Sequence, residues 1–159
     1  MARRLPLLKT GDLIFIHNLT WSTLLTMVRF RTWWTHVAMY YGADKTVEMT
    51  NKNFRYLTFS KRYPANKIMI VRFRSLTVAD RARLRKEAQK YTSAKFDRLR
   101  LILPLLPQLR QNRFWCTTFI DRIYSGALGK RLDVKAMTQR GRKYIERLDA
   151  DIIYDYRKP

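Results

Sequence analysis

Apolar and polar positions change rhythm along this chain. In the first half they form short runs or alternate by twos, and in the second half they recur at helical spacing. Lys9-Thr10-Gly11-Asp12 reads as a turn, and Leu13-Ile14-Phe15-Ile16 after it as a short apolar strand. Residues 19–31 are helix or loop. Trp34 to Tyr41 is apolar with β-branched and aromatic members, ends at Gly42-Ala43-Asp44-Lys45 and is followed by Thr46-Val47-Glu48-Met49, the pattern of a β-hairpin. Further strands are expected at Arg55–Phe59 and at Lys67–Arg74, where Ile68, Ile70 and Arg72 alternate with Met69, Val71 and Phe73.

Thr77-Val78-Ala79-Asp80 resembles a capping box with Asp in place of Glu. It opens a helix to about Tyr91, with Leu84, Ala88 and Tyr91 on one face and the basic residues on the solvated side. Residues 92–113 form a long connection, a length at which connections often carry function. A second helix is expected from Cys116 to about Tyr124, with Phe119, Ile120 and Ile123 inward and Ser125-Gly126 as its stop. A helical stretch from about Val134 to Leu148 and an edge strand at Asp151–Tyr156 complete an α+β plan, an antiparallel sheet packed against helices. No repeat, low-complexity tract or Gly/Ser linker interrupts residues 1–159, which read as a single domain long enough to bury a core without a disulfide or metal staple.

The chain has one cysteine, so it forms no internal disulfide. The thiol is therefore a candidate for chemistry or for plain burial. Cys116 stands where the aromatic pair Phe114-Trp115 gives way to helical spacing. A thiolate at a helix N-terminus faces unsatisfied backbone N–H groups and the positive end of the helix dipole, which lower its pKa. Only His17 and His36 can supply an imidazole. His17 ends its strand beside Asn18 and reads as a loop residue. His36 lies in the predicted hairpin, where a register with an even sum of paired numbers puts it on the same face as Glu48. An odd-numbered loop gives that register, and a two-residue loop separates the pair. On one face, Glu48 accepts a hydrogen bond from one ring nitrogen of His36 and leaves the other for the thiol proton, a Cys-His-acid relay. No cofactor is expected, and paired Cys/His spacings of the kind that hold zinc are lacking.

Charge widens the picture without choosing a function. The formal net charge is +21, from 33 Lys and Arg against 12 Asp and Glu, and the excess runs through both halves. It implies an anionic partner: a membrane surface, a nucleic acid or a cell-wall polymer. The N-terminal apolar patch is too short for a signal-peptide core, and Leu99 to Leu109, broken by Pro104 and Pro107, is too short to span a membrane. That stretch reads as a loop that packs on its own domain, touches lipid or lines a pocket. The expected location is the cytoplasm, with a peripheral place at a membrane left open.

Gly11-Asp12-Leu13-Ile14-Phe15, Thr35-His36-Val37-Ala38-Met39-Tyr40-Tyr41-Gly42, Val47-Glu48-Met49 and Phe114-Trp115-Cys116 together resemble the circularly permuted NlpC-type, papain-like cysteine hydrolases. That group includes the YiiX/YebB-like bacterial proteins and, more distantly, the lecithin:retinol acyltransferase-like proteins. The resemblance covers roughly residues 10–125 and implies a papain core with its helix and sheet halves exchanged in chain order. It further implies Cys116 as nucleophile, His36 as general base and then acid, Glu48 as the residue orienting the imidazole, and the Cys116 backbone N–H as an oxyanion donor. The function so implied is a cysteine hydrolase acting on a peptide, another amide or a lipid ester through an acyl-enzyme, with acyl transfer as a variant. The alternative is a basic nucleic-acid-binding or interaction module on an inactive papain-like scaffold.

Overall fold

Leu13–Ile16 (β1) is buried along its whole length because it lies inside a sheet covered on both faces. The computed structural model of the chain describes residues 5–18, 27–28, 31–63, 67–97 and 113–157. The expected helix or loop at 19–31 and the Leu99–Leu109 segment fall largely or wholly outside them. Six strands form one antiparallel sheet: β1, His36–Gly42 (β2), Lys45–Thr50 (β3), Asn53–Thr58 (β4), Ile68–Phe73 (β5) and Ala150–Asp155 (β8), in the order β4-β3-β2-β1-β5-β8. The last strand pairs only with β5 and forms an edge, as its position in the sequence suggested.

Alternation along the strands sorts side chains into two cores. Leu13, Phe15, Val37, Met39, Val47, Met49, Val71 and Phe73 point to the larger one. It is closed by Val78–Gln89 (α2), Cys116–Leu128 (α3), Val134–Arg140 (α4) and Arg142–Arg147 (α5). Ile14, Ile16, Ala38, Ile68 and Ile70 face the smaller core, capped by Phe59 and Tyr63 at the ends of the one-turn helix Phe59–Arg62 (α1). Phe59 thus starts this helix instead of ending β4.

The capping box of α2 is present: Thr77 Oγ1 accepts from the Asp80 N–H at 3.1 Å, and Asp80 accepts from the Thr77 N–H at 2.9 Å. Leu84 and Ala88 are buried as the spacing requires. The basic residues of this helix are not all solvated, since Arg81 bonds the Thr10 carbonyl and Arg85 Nε donates to Thr10 Oγ1 at 3.1 Å. These bonds tie α2 to the turn before β1.

Helix α3 does not stop at Ser125-Gly126. It continues to Leu128 and ends at Gly129, which takes the left-handed conformation with φ +68°. Gly126 serves another purpose: α2 crosses so closely that a Cβ there would collide with the Glu87 side chain. The expected single helix over 134–148 is two, because Gly141 (φ +69°, ψ −154°) leaves helical geometry between α4 and α5.

Two short strands place the start of α3. Lys95–Phe96 (β6) and Arg113–Phe114 (β7) pair in parallel, and the Trp115 indole donates to the Asp97 carbonyl at 2.9 Å. The two ends of the long connection are thereby fastened together just before Cys116. At the far end of α3, buried Tyr124 donates its hydroxyl to the Gly11 carbonyl, so the helix is pinned to the sheet well away from the cysteine.

Candidate functional site

The hairpin that carries His36 and Glu48 reaches its register by an unexpected route. Gly42 pairs with Lys45 around a two-residue turn, Ala43-Asp44, in which both φ angles are positive (+49° and +58°), as in the turns that join twisted strands tightly. Such a loop alone puts His36 and Glu48 on opposite faces. The register shifts between Tyr40 and Gly42, however, so that Tyr40 pairs with Thr46 and Met39 with Val47. One extra residue in β2, a β-bulge, therefore restores the even-sum register. His36 and Glu48 end on one face, diagonal to each other.

The β2–β3 ladder runs from the turn to Met39–Val47 and stops short of His36. Tyr40 donates to the carbonyl of Asp12, just before β1, so alternate β2 residues bond toward β1, and the Val37 N–H points the other way, toward β3. The N-terminus of α3 occupies this opening. Cys116 is the first residue of the helix and is partly exposed, and the His36 ring and the backbone N–H groups of Val37 and Thr117 lie near enough to its sulfur to favour its charged form. Thr118 steadies the helix start, because its Oγ1 accepts from the Trp115 N–H at 2.9 Å.

His36 Nε2 donates to Glu48 Oε2 at 2.7 Å, which leaves Nδ1 as the nitrogen for the sulfur. The Glu48 side chain is fully buried, whereas that of His36 is 23 % exposed. Glu48 Oε1 accepts from Thr46 Oγ1 at 3.1 Å and from the Tyr63 hydroxyl. Neither partner was visible as a site residue in the sequence. Thr46 had one legible signal, its place two positions before Glu48 on the same strand face. Tyr63 had none, since α1 brings it over the sheet from beyond β4.

Burial works against charge on all three groups, and their mutual contacts overcome it. For Glu48, burial would raise the carboxyl pKa, but the His36 hydrogen bond and charge, with Tyr63 and Thr46, hold it below the usual range. For His36, burial would lower the pKa, while the bonds to Cys116 and Glu48 raise it to about 10. For Cys116, burial would raise the pKa, and the His36 bond and charge with the two backbone donors bring it below the ordinary thiol value. All three directions favour the charged forms: thiolate, imidazolium and carboxylate.

His17 is elsewhere. It is buried, its Nδ1 lies 2.9 Å from the Trp33 carbonyl oxygen, and its ring stacks on Trp33 with centroids 4.2 Å apart.

Against known proteins, no family model and no curated protein matches this chain. A solved structure does. The metalloprotein YiiX from Escherichia coli O157:H7 superposes with a TM-score of 0.64 over 77 % of this chain and 68 % of its own, at 19 % sequence identity. The chain has a YiiX-like fold. This likeness rests on the course of the backbone, and the side-chain arrangement described above is this chain's own. Among the described residues no helix is long and apolar enough to cross a membrane.

Proposed function

We propose that the chain is a cysteine hydrolase of the permuted papain-like kind, cleaving an amide or ester through an acyl-enzyme. The observation that carries this reading is the His36 Nε2 bond to buried Glu48 at 2.7 Å, beside a helix-start thiol whose pKa His36 lowers. A thiol used only for packing needs no imidazole, and an imidazole used only for packing needs no buried carboxylate. The chain order His, Glu, Cys supports the permuted arrangement.

In this reaction the Cys116 thiolate attacks the substrate carbonyl and forms a C–S bond, pushing charge onto the carbonyl oxygen. The Cys116 backbone N–H, a first-turn donor of α3 with no intrahelical acceptor, stabilises that oxyanion in this proposal. The His36 imidazolium then gives its proton to the leaving amine or alcohol as the C–N or C–O bond breaks. Water adds to the thioester, His36 takes its proton, and the C–S bond breaks to release the acid and regenerate the thiolate. Glu48 keeps the imidazole in the tautomer and orientation that both transfers need. A substrate nucleophile in place of water gives acyl transfer by the same steps.

YiiX is described as a metalloprotein, and the described residues of this chain offer a metal no comparable donor set. The described residues contain no group of three or more His, Cys, Asp or Glu placed to hold a metal, and both Glu48 oxygens already accept hydrogen bonds. No step of the proposed reaction uses a metal.

The test is stoichiometric labelling by iodoacetamide near neutral pH, followed by turnover of fluorogenic amides and esters. Rapid labelling at Cys116, lost together with turnover in His36→Ala, is the expected result. A slow thiol of ordinary pKa overturns the reading. The charge of +21 favours a second reading, a basic module that docks on a polyanion such as nucleic acid. Salt-dependent retention on DNA by both the native chain and Cys116→Ala, with no turnover by either, supports that module instead.

A further inference from the structure

A fully buried carboxylate must find its donors inside the protein, and Glu48 finds three. His36 takes Oε2. Thr46 and Tyr63 both donate to Oε1, so any rotation that swings Oε2 away from the imidazole also breaks the bonds at the other oxygen. Thr46 comes from Glu48's own strand, whereas Tyr63 comes from the end of α1, 15 residues along the chain.

We propose that Tyr63 is a positioning residue of this site: its hydroxyl holds the Glu48 carboxylate turned toward His36. The inference rests on the reading of Cys116, His36 and Glu48 given above. Tyr63 is 4 % exposed, and its ring packs on Phe59, with centroids 5.9 Å apart, inside the smaller core. Apolar contacts hold the ring, and the hydroxyl is left to meet the carboxylate. Burial and the neighbouring Glu48 charge raise the phenol pKa, so the group stays a donor throughout the range in which the thiol titrates.

The consequence passes through two contacts. A carboxylate held with Oε2 on the imidazole favours the imidazolium, and the imidazolium favours the thiolate. Loss of the Tyr63 hydroxyl therefore reaches the sulfur without touching it. Tyr63 meets neither the sulfur nor the reacting carbonyl, and its contribution appears as a shift of pH dependence.

The experiment is the pH profile of Cys116 alkylation by iodoacetamide in the native chain, Tyr63→Phe, Thr46→Val and Glu48→Gln. Tyr63→Phe keeps the ring and removes only the donor. Its profile should shift upward by roughly 0.3–1 pH unit, because loss of a hydrogen bond to the carboxylate is passed on only in part through the imidazole. The plateau above the transition should stay the same, since the thiolate itself is intact. Thr46→Val should shift the profile the same way and less, and Glu48→Gln should shift it most. If Tyr63→Phe folds too poorly to titrate, Tyr63→3-fluorotyrosine keeps the shape, strengthens the donor and should move the profile downward.

A Tyr63→Phe profile that superimposes on a depressed native one overturns the inference and leaves the hydrolase reading in place, even if the variant melts earlier. The same holds for a 3-fluorotyrosine profile that does not move. A native profile typical of an ordinary thiol removes the relay itself, and this inference with it.

Discussion

Glu48 stands diagonally across the β2–β3 hairpin from His36 and accepts its Nε2–H at 2.7 Å from a fully buried position. This bond fixes which ring nitrogen faces the sulfur. The chemistry of the site follows from that orientation, and so do most of the measurements that test it.

Alkylation of Cys116 should persist on the acid side of the ordinary thiol range, because the His36 hydrogen bond and charge lower the thiol pKa. An ordinary thiol is only about 1 % ionised at pH 6.5. His36→Ala should therefore slow iodoacetamide labelling at that pH on the order of ten- to a hundred-fold, with the two rates converging above pH 9. Stopped-time mass spectrometry of the labelled peptide reads the difference.

Replacing Glu48 by Ala removes the acceptor that orients His36 and leaves the Thr46 and Tyr63 donors facing a cavity. The expected cost is about 1–3 kcal/mol of stability, the range for stranding buried polar groups, with a fall in the His36 pKa. Urea unfolding gives the first quantity, and NMR titration of the imidazole gives the second.

The His36–Glu48 pair sets opposite pH limits on stability. Glu48 has a lowered pKa, so its contribution is complete above the ordinary value of 4.5 and is lost as pH falls through the folded value. His36 has a raised pKa, so its contribution is complete below 6.5 and is lost as pH rises toward about 10. Both contribute fully between 4.5 and 6.5. Urea midpoints across pH should show the native chain declining on both sides of this window relative to His36→Ala.

Gly126→Ala should change stability by less than about 1 kcal/mol, because the added methyl meets only the flexible carboxylate end of Glu87, and the cost of moving it is offset by the better helix propensity of alanine. Gly129→Ala, in open space but with φ +68°, should cost about 1 kcal/mol from backbone strain alone. Thermal melts should place Gly129→Ala below Gly126→Ala, and Cys116 labelling should be unaffected in Gly129→Ala.

Much of this arrangement could be read from local pattern. Alternation marked β5, Thr77 and Asp80 marked the start of α2, and the change of spacing after Trp115 marked Cys116 as the first residue of α3. Each of these signals lies within a few residues. The misreadings had longer reach. Gly126 looked like a helix stop because glycine is permissive, and only the approach of Glu87 from another helix gives it a different role. Gly141, by contrast, breaks a helix that spacing alone left continuous. Tyr63 reaches Glu48 through the packing of α1 on the sheet, and no periodicity encodes that contact.

The additional residue between Tyr40 and Gly42 gives the length of the hairpin a chemical meaning. In most exposed hairpins, gaining or losing one amino acid is absorbed by the tip. Here a single in-frame codon removed from the end of β2 would turn the carboxylate to the far side of the sheet from its imidazole, with every participating side chain still encoded. Loss of function by deletion at this tip, without any change to Cys116, His36 or Glu48, would be the genetic signature of that arithmetic.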